Sequence, residues 1–223
     1  MTWYASSIGK KVLMAVSGLL LLGFVIAHLL GNLLIFAGPQ ALNDYARHLR
    51  ELGPILWLAR FFLIVTAIVH IYASIQVTRE NRAARPHGYR RPRMRETSLA
   101  ARTMMFSGLL VIVYLIYHLL HFTFRVTHPD ISHGIDALGH PNVYAMVVRS
   151  FQLPAVSVAY LIGMTAVWMH LMHGIGSAFQ TLGLTNERTL AALRLGGRLL
   201  AGVLYLGYVS IPLAVLFGVV SLR

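Results

Sequence analysis

Five apolar stretches dominate this sequence, and each is long enough to cross a bilayer. They run over Val12–Ala37, Ile55–Val77, Met104–Phe124, Phe151–Ala178 and Leu199–Leu222. About 20 apolar residues suffice for a helical span, because a helix rises about 1.5 Å per residue across a core about 30 Å thick. Only 12% of the residues are charged and 57% are hydrophobic, which leaves too little polar surface for a soluble domain of this size. The expected fold is therefore all-α and integral to the membrane, one domain over residues 1–223 with five transmembrane helices. The first apolar run is too long for a signal-peptide core and lacks a small-residue cleavage site, so it is expected to be retained.

The net charge of +12 does not point to nucleic acid, because the cations are sorted by loop. Lys10 and Lys11 precede the first span, and eight arginines from Arg79 to Arg102 lie between the second and third. Arg188, Arg194 and Arg198 lie between the fourth and fifth. Thirteen of the nineteen Lys and Arg thus fall on one side, which places the N-terminus in the cytoplasm and the C-terminus outside. The arginine-rich loop reads either as a topology signal that contacts lipid headgroups or as a docking surface for a cytoplasmic partner. The chain has no cysteine, which excludes disulfides, iron–sulfur ligation and thiol chemistry. It also lacks a glycine-rich dinucleotide fingerprint.

Inside the apolar runs a pattern repeats. SGLLLLGFVIAH spans Ser17 to His28, and SGLLVIVYLIYH spans Ser107 to His118. Spans one and two, then three and four, read as two parallel repeat units. The second span of each unit also carries a histidine, His70 and His170. His28 and His118 each lie about 24 Å from the inner end of their helix, while His70 and His170 lie about 10 and 12 Å from it. Four histidines thus form an outer pair and an inner pair on the first four helices. A single intramembrane histidine can be a satisfied interhelical hydrogen bond or part of a proton relay. Two imidazoles facing across a bundle, at each of two levels, are instead what a low-spin heme requires. Zinc would need three or four ligands at one point.

Each ligand helix also carries a small residue eleven positions before its histidine, on the same face and about 16 Å away. These are Ser17, Ala59, Ser107 and Ala159, with Gly163 on that face as well. Small residues there are expected to leave room for a flat macrocycle; ordinary close packing of membrane helices is the alternative.

These features resemble the di-heme cytochrome b membrane-anchor subunit of the succinate dehydrogenase and fumarate reductase family. The likeness covers nearly the whole chain and includes Gly108 ten residues before His118, Gly183 thirteen residues after His170, and the stretch HGIGSAFQTLGL. The resemblance implies axial ligation by His28, His70, His118 and His170, and two heme b groups in the first four helices. His121 and His173 are the competing choices, each three residues after a ligand; they would otherwise bond propionates or neighbouring groups. The remaining histidines, at 48, 87, 128, 133 and 140, lie in loops and are expected to be solvated.

The resemblance further implies a multi-pass subunit of a bacterial cytoplasmic membrane. Electrons would come from an iron–sulfur subunit and a flavoprotein subunit, pass through both hemes and reduce a quinone. Menaquinone is the commoner partner of two hemes in that family, ahead of ubiquinone. Fumarate-reducing members carry a Glu two residues before the fourth-span ligand; here that residue is Trp168, which favours succinate oxidation. The rival readings are the cytochrome b of a hydrogenase, formate dehydrogenase or nitrate reductase, and a proton-coupled transporter. The outer loop GPQALNDYARHLRELGP is expected to form an amphipathic helix over Ala41–Leu52, with Leu42, Tyr45, Leu49 and Leu52 on one side. Asp44, His48 and Glu51 on it are candidate proton-accepting groups for quinone chemistry, against a plain interfacial helix.

Overall fold

The computed structural model describes residues 6–84, 103–136 and 138–222. The arginines from Arg85 to Arg102, together with His87 and Arg223, lie outside the described residues. The described chain is almost entirely helical. α1 covers Ser7–Asn32 and continues as a tighter 3-10 turn over Leu33–Ala37. α2 is Pro39–Glu51, α3 is Pro54–Ala83 and α4 is Met104–His118, the last extended by a π-helical turn at Leu119–Thr123. A single turn, α5, covers Pro129–Ser132, and α6 is Val143–Phe151. α7 is Pro154–Thr181 and α8 is Leu190–Leu216. Five of these segments are long and apolar enough to cross a membrane: Ser7–Ala37, Pro54–Ala83, Met104–Thr123, Pro154–Thr181 and Leu190–Leu216.

Helix boundaries follow local chemistry. The Ser6 side chain accepts the Gly9 N–H at 3.0 Å and caps α1. Proline opens α2, α3 and α7, where its missing N–H costs nothing. Gly183 ends α7 with φ +71, and the Leu184 N–H returns to the Phe179 carbonyl. That closure needs a left-handed residue, which glycine supplies without strain.

Each expected two-helix unit packs as a pair, α1 on α3 and α4 on α7. α1 and α7 join the two pairs, and α8 lies along α7. At the end called inner, after the charge reading, the Lys10 ammonium pairs with Glu80 and ties α1 to α3. Thr78 reaches Met105 there and links α3 to α4. Across the opposite end lie α2 and α6. Asn43 fastens them together, accepting the Tyr144 N–H at 2.9 Å and donating to Asn142 at 3.2 Å. One apolar cluster fills this outer end, from Ile35 and Leu42 through Val148 and Phe151 to Tyr160 and Val215. A second, of Leu22, Leu29, Ile175, Ala201 and Leu204, joins α1, α7 and α8 deeper in the bundle. Large apolar side chains such as Phe61, Ile68, Leu109, Ile116, Leu199 and Val203 remain exposed around the outside. A surface so apolar suits lipid and would aggregate in water.

The structure shifts several expected boundaries. The fourth span begins at Pro154, because Phe151 belongs to the separate helix α6. The fifth helix runs over Leu190–Leu216 rather than 199–222, so Arg194 and Arg198 are helical and not in a loop. Hydropathy alone cannot register a helix that continues past the bilayer with charged residues on it.

Candidate functional site

The bundle brings the four histidines together in the expected pairs. His28 of α1 and His118 at the end of α4 have ring centroids 5.8 Å apart, with planes at 86°. His70 of α3 and His170 of α7 are 6.2 Å apart at 74°. Two imidazoles bound on opposite sides of one metal would have centroids about 6 Å apart, given metal–nitrogen bonds near 2 Å. Both pairs therefore have the spacing of axial ligands. Among the described residues no cluster of three or more His, Cys, Asp or Glu could hold a metal ion, so each level offers two imidazoles and no third protein ligand.

One ring nitrogen of each inner histidine is already engaged. His70 Nδ1 lies 3.0 Å from the Met14 carbonyl and 3.3 Å from Ser17 Oγ. His170 Nδ1 lies 3.4 Å from Ser107 Oγ. Both serines are buried, and both donate their own proton to a backbone carbonyl, Ser17 to Leu13 and Ser107 to Met104. The Met14 carbonyl can only accept from His70, and Ser107 accepts from His170, which places the proton on Nδ1 of both rings and leaves Nε2 free for a metal. The glycine after Ser17 makes room for the same ring, whereas a Cβ at Gly108 would make only ordinary contact with its ring. A Cβ on Gly18 would lie 3.0 Å from His70 Cε1, and one on Gly108 would lie 3.5 Å from His170 Cε1.

The repeated Ser-Gly pair thus belongs to the histidine of the neighbouring helix. Sequence reasoning assigned Ser17 and Ser107 only a space-leaving role and passed over Gly18. The signal was the pair itself, present at the same offset in both repeats.

His121 occupies a different position from His118. It is fully buried, and both ring nitrogens have partners, Tyr160 Oη at 3.0 Å and Ser150 Oγ at 3.1 Å. No nitrogen of His121 is left for a metal. Tyr160 Oη also lies 3.4 Å from His118 Nδ1. The π-helical turn that follows His118 alters the register here, as such turns commonly do at functional sites. His173 sits at the inner end with the Arg194 and Arg198 charges beside it, and among the described residues it has no imidazole at ligand spacing.

Two small residues behave otherwise than expected. Gly163 is buried, but a Cβ there would overlap the Tyr114 ring, so its close approach is to an aromatic side chain one turn before His118. Ala59 is exposed, because the outer part of α3 around it has few neighbours. Trp168 stacks on Tyr205 of α8 at 5.2 Å.

The amphipathic helix in the outer loop is present as α2, with Leu42 buried and Tyr45 lying against Gly31. Tyr45 and Leu52 are nonetheless 36% and 45% exposed, so the apolar side is only partly covered. Its three polar candidates are tied up locally. Asp44 pairs with Arg47 at 3.0 Å, Glu51 lies 3.9 Å from the same guanidinium, and His48 Nδ1 donates to the Asp44 carbonyl at 2.7 Å. A cleft of about 300 Å³ opens at the other end of the bundle, lined by Ile8, Lys11, Ser177, Gln180 and Thr181. Comparison with known protein families, curated proteins and solved structures returns no match for this chain.

Proposed function

We propose that this chain is the membrane anchor and electron conduit of a succinate dehydrogenase, with two heme b groups held by His28–His118 and His70–His170. One observation carries the reading: two histidine pairs, each at the spacing of axial ligands, at two depths of one apolar bundle. Bound there, two hemes would supply one-electron redox chemistry at two levels of the bundle. The chain's own residues supply ligation, orientation and exclusion of water. Nδ1 contacts to Met14, Ser17 and Ser107 hold the inner imidazoles, and the apolar exterior keeps the sites in lipid. The iron–sulfur and flavoprotein subunits would dock at the inner end, beside the arginine-rich segment and the helical Arg194 and Arg198. N-terminus inside, C-terminus outside and residence in a bacterial cytoplasmic membrane belong to the same proposal. Isolation of the chain from its native membrane tests it: the expected result is co-isolation of a flavoprotein and an iron–sulfur protein, with heme reduction by added succinate. Co-isolation with a hydrogenase or formate dehydrogenase, and heme inert to succinate, would reject it.

Quinone, with menaquinone ahead of ubiquinone, has two candidate places. Asp44, His48 and Glu51 lie near the outer pair, but their side chains already have local partners. The inner cleft offers the Lys11 ammonium and the Ser177 hydroxyl beside the expected docking face. Of the two, we propose the inner cleft, because it adjoins the expected docking face. Lys11→Met and Ser177→Val are expected to lower succinate:quinone activity several-fold with both hemes retained, while Asp44→Asn, His48→Ala and Glu51→Gln leave it near wild type. The reverse pattern would place the site in the outer loop.

Ring orientation gives a spectroscopic expectation. Imidazole planes that kept these crossed angles of 86° and 74° with heme bound would leave two iron d orbitals close in energy. Both ferric hemes should therefore show strongly anisotropic low-spin EPR signals with a large principal g value. Ordinary rhombic spectra from both hemes would show that the rings are parallel in the loaded protein.

A further inference from the structure

The two histidine levels differ in what holds the ligand from behind. The inner imidazoles meet a backbone carbonyl and serine hydroxyls. At the outer level His118 meets a phenol, and the phenol belongs to a buried chain. Tyr160 Oη touches His118 Nδ1 at 3.4 Å and His121 Nδ1 at 3.0 Å, and His121 Nε2 touches Ser150 Oγ at 3.1 Å. Tyr160 is 4% exposed, and His121 and Ser150 are not exposed at all, so no water competes for these bonds. Burying such a polar chain is costly unless every member is satisfied.

Proton counting gives the chain a direction. The phenol has one proton and faces two Nδ1 atoms, so both contacts are hydrogen bonds only if one imidazole brings a proton of its own. With His118 ligating through Nε2, its Nδ1–H is that donor. Tyr160 accepts from His118 and donates to His121 Nδ1, and the His121 Nε2–H donates to Ser150. Each of these three donors then has one acceptor. The π-helical turn at Leu119–Thr123 carries His121 within this network, and Phe122 stacks on its ring at a centroid distance of 4.1 Å.

We infer that Tyr160 and His121 are positioning residues for His118: they fix the orientation of its imidazole and, by accepting its Nδ1 proton, raise its donor strength at the outer site alone. This inference rests on the reading of His118 as an axial ligand. A stronger hydrogen bond from Nδ1–H makes imidazole a better donor, which favours the oxidised metal and lowers its potential. Loss of the phenol should raise it. His121 acts through Tyr160, so removing His121 should move the same potential the same way by less.

The experiment is optical redox titration of the heme-loaded full-length chain in native membranes, alongside ferric EPR. In Tyr160→Phe both hemes are expected to remain, one midpoint potential to rise and one EPR signal to shift, with the other heme unchanged. Ser107→Ala should move the other heme instead. His121→Leu should move the same heme as Tyr160→Phe, and add nothing to it in the double variant. His121→Gln, which can accept from Tyr160 and donate to Ser150, should restore the wild-type potential. If Tyr160→Phe does not accumulate, the contrast between His121→Leu and His121→Gln decides alone. Unmoved potentials in a two-heme Tyr160→Phe protein, or both hemes moving equally, overturn the inference and leave the ligand reading intact. Absence of heme from the wild-type chain overturns the ligand reading and this inference with it.

Discussion

His118→Leu is expected to abolish one heme signal completely and to leave the second, and His28→Leu is expected to abolish the same one. His70→Leu and His170→Leu should each abolish the other. The grouping follows from geometry: His28 faces His118 at 5.8 Å and His70 faces His170 at 6.2 Å, in both cases across two helices. Leucine is apolar and of moderate size, so it adds no unsatisfied polar group to the bundle. Visible spectra and heme content per chain provide the check. A protein in which the His28 and His70 variants lost the same heme and kept the other would contradict the pairing. The neighbouring histidines provide a control. His173→Leu should retain both hemes, because His173 stands beside Arg194 and Arg198 and His170 is already paired with His70.

Gly163→Leu is expected to be the most damaging change that touches no ligand. A Cβ at Gly163 overlaps the Tyr114 ring, and that ring lies 6.0 Å from His118 and 5.4 Å from Tyr160. Tyr114 must move, and the outer histidine and its phenol partner move with it. Overpacking of this kind costs about 1–3 kcal/mol, occasionally more. The variant should show a lower melting temperature and loss of outer heme, with the inner heme largely kept. Adding Tyr114→Ala should recover part of both, since the clash then has no second partner. An unchanged melting temperature and unchanged heme content in Gly163→Leu would reject the close-approach argument.

The residues differ in how much of their role the sequence carries. The spans were legible because lipid tolerates no other composition over 20 residues, and the histidine pairs because depth along a helix is simple arithmetic. Ser17 and Ser107 were legible as positions but not as partners. Their hydroxyls serve His70 and His170 on neighbouring helices, and a contact between helices leaves no periodicity within either one. Helix α6 was missed because Val143–Phe151 is short and mixed, and because it runs into the next apolar stretch with only Gln152 and Leu153 between. Ala59 shared the expected face on paper, but which helices pack around α3 is a tertiary fact. The resemblance already favoured His118 over His121; its physical basis, Tyr160 and Ser150 occupying both nitrogens of His121, lies in contacts between helices that no sequence pattern records.

The central claim is that this chain holds two hemes on four histidines, and heme content measures it most directly. The chain purified from a host that supplies heme should contain two protohemes per polypeptide, by pyridine hemochrome. Its reduced-minus-oxidised spectrum should show b-type bands that titrate at two potentials. A pure, folded, helical chain that carries no heme, or that keeps both hemes when His118 and His170 are replaced together, would contradict the account.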